Sequence, residues 1–452
     1  MKKVFYLAFA VLILSVMCFN VMPARAEVTF NGEWRVRGFA YDINGENDAV
    51  GNRSDTASFW DQRFRLYITA KVSDNLKGIV RMLAPNHVPC DYDTGGGNRW
   101  GYYDPKPVLW DVAYLDFDIP LPAAPVNVKL GRQGIDLGNY VLLGSCRTYD
   151  SVILSTAIQN VNISFLTVKL DEGQNPTYPA DPNYAGFDDE DLYGAVLSFD
   201  PAPNINLGIW TVFGKDGGTR SGYISQTLQS VIDPDDYPSA DAFWLGAATK
   251  MDFAPIKVNL EFDYSKVSLN SDDTVTNPDI DVTGYAFFGD ICADLPAVKF
   301  GGNLLYTTGD DKTDSDYDSD LFVPISSYFS ERNDYDYMVL REYIPKYYGN
   351  GAFKGDHSIG NLIAIKLYAM KDLAPKVNGM ISVQNYSFTQ DPDGNGGDGK
   401  NIGTEIDVRL VYKLYDNLTL TGVGAYWVTD EDIFGADNEN NWLLKQEILY
   451  KF

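Results

Sequence analysis

Apolar and polar residues alternate along most of the chain. In the stretch RFRLYITAKV, residues 63–72, Phe64, Leu66, Ile68 and Ala70 share one face, while Arg63, Arg65, Tyr67, Thr69 and Lys71 share the other. PIKVNLEFDY, residues 255–264, sets Ile256, Val258, Leu260 and Phe262 against Lys257, Asn259, Glu261 and Asp263. EIDVRLVYK, residues 405–413, sets Ile406, Val408, Leu410 and Tyr412 against Asp407, Arg409, Val411 and Lys413. A period of two predicts strands with one apolar face, and no long stretch carries the 3.6-residue period of a helix. The fold class expected is all-β.

The connections between these strands alternate in length. Short ones include VSDNLKG, DIPLPAAPV, FDPAPNI, MDFAPIK, KDLAPKV and LYDNLTL. Long polar ones fall at about 44–57, 86–106, 133–148, 171–188, 216–239, 267–278, 310–356, 391–399 and 430–440. Eight short turns and nine long loops join eighteen strands. A sandwich has no reason to segregate loop lengths this way. A transmembrane antiparallel barrel does, with short periplasmic turns and long extracellular loops. The apolar faces then meet lipid and the charged faces meet the lumen. Segments of about 9 to 15 residues are long enough to cross a bilayer at a tilt.

The N-terminal pattern is different. Lys2 and Lys3 precede an apolar run from Val4 to Met17, then Ala24-Arg25-Ala26. A basic start, a short apolar run and a small-x-small site predict a secretory signal peptide. The expected organisation is a signal peptide at 1–26, cleaved after Ala26, and one barrel at 27–452.

Composition narrows the chemistry. Asp and Glu number 62 against 36 Lys and Arg, a formal charge of −26, which argues against nucleic acid as a partner. His87 and His357 are the only histidines. They make no triad and no zinc spacing, and nothing places one beside Ser151 or Ser155, so no enzyme is expected. Cys90 and Cys146 lie in neighbouring long loops and form a candidate disulfide in an oxidising compartment. Cys292 lies near a short turn and is expected unpaired. No C-x-x-C-H occurs, so the chain is expected to carry no c-type haem of its own. DPDGNGGDG offers Asp391, Asp393 and Asn395 as candidate calcium ligands, but the twelfth position is Ile402, where a bidentate Glu is needed. No firm metal site or cofactor is expected beyond loosely held calcium bridging lipopolysaccharide.

The lumen face carries the informative residues. Arg35, Arg37, Arg63, Arg65, Arg81 and Arg132, with Lys71 and Lys129, fall in the first five strands. Asp116, Glu261, Asp263, Glu405 and Asp407 supply acids, with Arg409 beside the last. A basic arc facing an acidic arc predicts a transverse field and a charge-selective constriction. The loop at 310–356, with Tyr328, Tyr335, Tyr337, Tyr343, Tyr347 and Tyr348, is expected to fold inward or cap the mouth.

Two stretches carry resemblances. KLGRQGIDLGNYVLLGSCRTYDSVIL, Lys129 to Leu154, resembles the alginate-export type of outer-membrane porin, as does FWDQRFRLYITAKVSDNLKG. That resemblance implies eighteen strands, an arginine-lined lumen, passive passage of an anionic polysaccharide, and Arg132 as the motif arginine. Ser145-Cys146-Arg147 stands where the family often has Trp. The final LKQEILYKF, with Leu444, Ile448, Tyr450 and Phe452 apolar at alternate positions and Gln446 departing, resembles the signal read by the outer-membrane assembly machinery. The expected protein is a porin of a Gram-negative outer membrane, passing small hydrophilic or charged solutes and contacting membrane lipid and lipopolysaccharide. The alternatives are a barrel that sheathes a partner such as a multihaem cytochrome, and a closed receptor or adhesin.

Overall fold

The computed structural model describes residues 26–42, 57–84, 108–122, 124–144, 148–172, 189–216, 239–271, 279–309, 318–325, 337–339, 359–390, 400–430 and 441–452. The strands run β1 (Glu27–Asp42), β2 (Ala57–Ser73), β3 (Leu76–Ala84), β4 (Leu109–Ile119), β5 (Val126–Gln133), β6 (Tyr149–Ile158), β7 (Val161–Glu172), β8 (Asp189–Ala202) and β9 (Ile205–Asp216). They continue β10 (Ser239–Phe253), β11 (Ile256–Asn270), β12 (Ile280–Asp294), β13 (Lys299–Thr307), β14 (Asp318–Ser319), β15 (Leu362–Ala374), β16 (Val377–Phe388), β17 (Asn401–Tyr415), β18 (Leu418–Thr429) and β19 (Asn441–Lys451).

All but β14 are antiparallel staves of one sheet, and β14 is a two-residue parallel addition to β12. The sheet closes because β1 pairs with both β2 and β19, Glu33 standing opposite Lys451. Closure leaves no stave with an unpaired edge, which a strand in lipid cannot tolerate. The seam is finished by the last residue. Phe452 and Gly32 exchange backbone hydrogen bonds of 2.8 and 3.1 Å, and the Phe452 ring stacks on Phe64 and Tyr450. The segregation of turns and loops expected from the sequence is the one found, with turns such as 74–75, 203–204 and 416–417 at one end.

Period-two alternation sorts the faces. Phe262, Ile406, Val408, Leu410 and Tyr412 point outward and are exposed, while Glu261, Asp263, Glu405 and Asp407 point inward and are buried. On β10 the outward residues from Phe243 to Phe253 are almost all apolar. Ten residues of tilted strand give a band of roughly 25 Å, the height of the apolar band on transmembrane barrels. Aromatic rings line its upper part: Phe213 packs on Phe243, Phe243 on Tyr264, and Tyr285 on Tyr306.

The lumen is not empty. The segment after β5 folds back inside the barrel, with Ile135, Leu137, Val141, Leu142 and Leu143 all buried. It turns through Gly138 and Tyr140, both in the left-handed region, and closes with the Leu137 N–H on the Leu143 carbonyl at 3.0 Å. Residues 321–325 and 337–339, between β13 and β15, also lie buried in the lumen. The two insertions meet where the Ile325 N–H donates to the Leu142 carbonyl at 3.0 Å. Inward folding of the 310–356 loop agrees with the sequence for these residues; of its tyrosines, only Tyr337 is among the described residues. The loop at 133–148 was expected among the extracellular loops. Its five apolar side chains, buried rather than displayed to water, account for the difference.

Candidate functional site

One wall of the lumen is basic. β1 presents Glu33, Arg35 and Arg37, β2 presents Asp61, Arg63 and Arg65, and β3 presents Arg81, each set two residues apart and therefore on one face. Three carboxylates hold the array. Asp61 binds Arg37, Glu33 accepts from Arg63 at 2.6 Å and Arg65 at 3.4 Å, and Asp111 accepts from Arg81 Nε at 2.8 Å. Arg81 also donates to the Tyr67 hydroxyl at 2.8 Å. On β19, Lys445 and Glu447 extend the wall, 3.7 Å apart. The sum is six cations against four carboxylates. Arg35 makes no ion pair or hydrogen bond among the described residues, and the Nε atoms of Arg63 and Arg65 meet no acceptor there. Such fixed, unspent donors are what a passing anion can bind.

The acids of the other walls do something else. Glu405 on β17 accepts three consecutive backbone N–H groups, from Tyr337 at 3.0 Å, Met338 at 3.1 Å and Val339 at 3.0 Å. Glu261 on β11 accepts the Asn139 N–H, and the Asn139 side chain accepts from Asn259 at 2.7 Å. Trp210 donates to Asp263 at 3.1 Å, and Trp244 donates to the Val323 carbonyl at 2.8 Å. Asp407 is buried against Gln384 and Ser382. The expected acidic arc facing open lumen is therefore corrected: Glu261 and Glu405 are seats for the inserted segments, because bare backbone N–H groups inside a barrel need acceptors. Tyr337, placed by Glu405, takes the Arg409 guanidinium on its hydroxyl at 3.5 Å and lies 5.9 Å from the Lys445 ammonium. The inserted segment thus reaches the edge of the basic wall.

Several expected residues fall elsewhere. Arg132 does not line the lumen. It stands opposite Asp150 on the outward face, 3.3 Å away, with the exposed Leu130 and Leu154 on the same side. Lys129 faces inward opposite Asp116, whose carboxylate Lys77 and Asn127 engage at 3.1 and 2.7 Å. Lys71 lies at the turn end of β2, paired with Asp74 at 2.6 Å, away from the arginines. Cys292 is buried. Cys90, Cys146, His87, His357, Asp391, Asp393 and Asn395 lie outside the described residues. Glu33, Asp61 and Asp111 went unnamed in the sequence, although Glu33 and Asp61 share the parity of the arginines beside them. Nothing in the sequence pointed to Tyr337 as a contact of Arg409.

The fold is a closed eighteen-stranded antiparallel barrel, and solved structures share it. The chain is similar to Pseudomonas aeruginosa OccK9 (OpdG), with a TM-score of 0.56 and 14% identity over 94% of this chain and 98% of that one. It is similar to Pseudomonas aeruginosa OpdK solved with vanillate, with a TM-score of 0.54 and 12% identity over 94% and 98%. A further structure of that protein describes it as an outer membrane protein. Acinetobacter baumannii OccAB4 aligns with a TM-score of 0.52 and 11% identity over 95% and 100%. At these identities the likeness is one of fold. No family model matches the sequence, and no curated protein matches it.

Proposed function

We propose that this chain is an outer-membrane porin through which small hydrophilic anions diffuse down their gradient. The observation that carries the reading is the basic wall of β19 and β1–β3, with its excess of cations among the described residues and Arg35 without an ion pair there. Carboxylates or phosphates pair transiently with guanidinium groups there and release, because Arg37, Arg63, Arg65 and Arg81 are already partly engaged by fixed acids. OpdK, which shares the fold, was solved with vanillate, a small aromatic carboxylate; that favours the same size and charge of solute here. Alginate export is the narrower form of the same reading. The segment that resembles that family turns its arginine outward and lays Leu137–Leu143 inside the lumen, which favours a small solute over a polymer. In this reading the chain is exported by a cleaved signal peptide, assembled through its C-terminal strand, and catalyses nothing.

The test is single-channel conductance in planar bilayers with the reversal potential under a salt gradient. Stable open steps selective for anions are expected, with selectivity reduced in Arg63→Ala/Arg65→Ala. A correctly folded, heat-modifiable barrel without conductance would overturn the reading. It would favour a closed receptor barrel, to which the apolar segments inside the lumen already lend support.

A further inference from the structure

A single row of residues crosses eight staves on the outward face, at the ends where the long loops begin. Arg132 on β5 stands opposite Asp150 on β6, and Asp150 opposite Lys169 on β7. Lys169 stands opposite Asp191 on β8, Asp191 opposite Lys215 on β9, and Lys215 opposite Asp241 on β10. The charge alternates at every step. The row runs on through Ser268 on β11 to Asp281 on β12, where Lys266 supplies the cation at 2.7 Å. Every member has the parity of the outward apolar residues on its own strand, such as Leu154, Phe165, Tyr193, Phe213 and Leu245. The row caps the apolar band just above the rings of Phe213, Phe243 and Tyr264. On the far half of the barrel, the outward residues near the same strand ends include the uncharged Tyr306, Ile363, Val428 and Trp442, with Asp42 opposite Trp442, and form no alternating row.

We propose that this belt binds the headgroup of a phosphorylated glycolipid in the leaflet around the loop end of the barrel. The inference rests on the barrel lying in an outer membrane, as proposed above. Adjacent staves are about 4.8 Å apart, so like charges recur along the belt about every 10 Å. A headgroup layer of phosphates bridged by divalent cations also alternates in sign. A wholly basic row would repel the bridging cations, and a wholly acidic one the phosphates; an alternating row accepts both. The pairing within the belt leaves room for this. Arg132–Asp150 at 3.3 Å and Lys169–Asp191 at 2.9 Å are engaged, but Lys215, exposed between Asp191 and Asp241, makes no ion pair among the described residues. Lys215 is the phosphate ligand at the centre of the belt, and Asp241 beside it faces the bridging cation.

Native mass spectrometry of the full barrel, released from micelles holding bis-phosphorylated lipid A or the same lipid stripped of its phosphates, tests the belt. The wild type is expected to retain the phosphorylated lipid preferentially. Lys169→Ala/Lys215→Ala should lower that retention by at least about tenfold, from the loss of two basic groups at an anionic surface. Lys215→Gln breaks no ion pair among the described residues, so it folds where the double variant fails, and should lower retention by roughly fivefold. Equal retention of both lipids, or unchanged retention in heat-modifiable Lys215→Gln, would overturn the inference. Conductance measured on the same preparations separates the two readings: anion-selective steps without lipid preference would remove the belt and leave the channel standing.

Discussion

Arg35 stands directly across the β1–β2 ladder from Arg63, both on the lumen face, with Arg37 and Arg65 one step away on either strand. Like charges directly opposite on a sheet destabilise it. Glu33 and Asp61 relieve Arg63 and Arg37, whereas Arg35 is left without a pairing acid among the described residues. A chain selected for stability alone would not keep that arrangement. Arg35→Gln should therefore fold at least as stably, gaining about 0.5 kcal/mol, while its reversal potential moves toward zero. Heat-modification midpoints and salt-gradient potentials on one preparation check both halves. An unchanged potential would remove Arg35 from the conduction path.

Glu405 holds residues 337–339 by charge-assisted hydrogen bonds. Glu405→Gln keeps the shape and loses the charge, weakening the seat by roughly 2 kcal/mol. The segment should leave the lumen part of the time. Single channels should show larger, flickering steps, and proteolysis within 310–358 should quicken, with the barrel still heat-modifiable. Steps indistinguishable from wild type would mean that the segment does not obstruct the path.

Gly138 occupies the left-handed region at a φ of 58°, and a Cβ there would fall on the Glu261 carboxylate. Gly138→Ala should cost about 1–3 kcal/mol locally and lift the 137–143 turn from its seat. Conductance should rise without loss of the barrel. Glu261→Gln should act in the same direction but more weakly, since it removes an acceptor's charge and adds no clash.

Selectivity should depend on salt. The screening length falls from about 10 Å at 0.1 M to about 3 Å at 1 M. Anion preference measured across a fixed tenfold gradient should therefore decline as both sides are raised toward molar salt. A preference that survives intact would point to dehydration or size selection rather than to the arginine wall.

The period-two pattern and the spacing of turns were enough for the barrel, because inward and outward solvents differ so sharply that parity assigns each side chain. Parity also exposes the one misplaced arginine. Lys129 and Arg132 are three apart on one strand and cannot share a face, so the motif likeness was a poorer guide to Arg132 than simple alternation from Lys129. Parity likewise put Glu261, Asp263, Glu405 and Asp407 inside, as they are.

Parity could not say what those acids face. Val141-Leu142-Leu143 is an apolar run within a loop, and only the folded chain shows it entering the lumen to sit on Glu261 while a second segment sits on Glu405. The alternating belt is hidden in the sequence for a related reason. Its members are spread from Arg132 to Asp281, and they align only through the registers of seven successive strand pairs. Strand and face are local properties, set by neighbouring residues along the chain. The contents of the lumen and the order of charges around the rim depend on which residues meet across the sheet and the cavity, and closure of the barrel decides that.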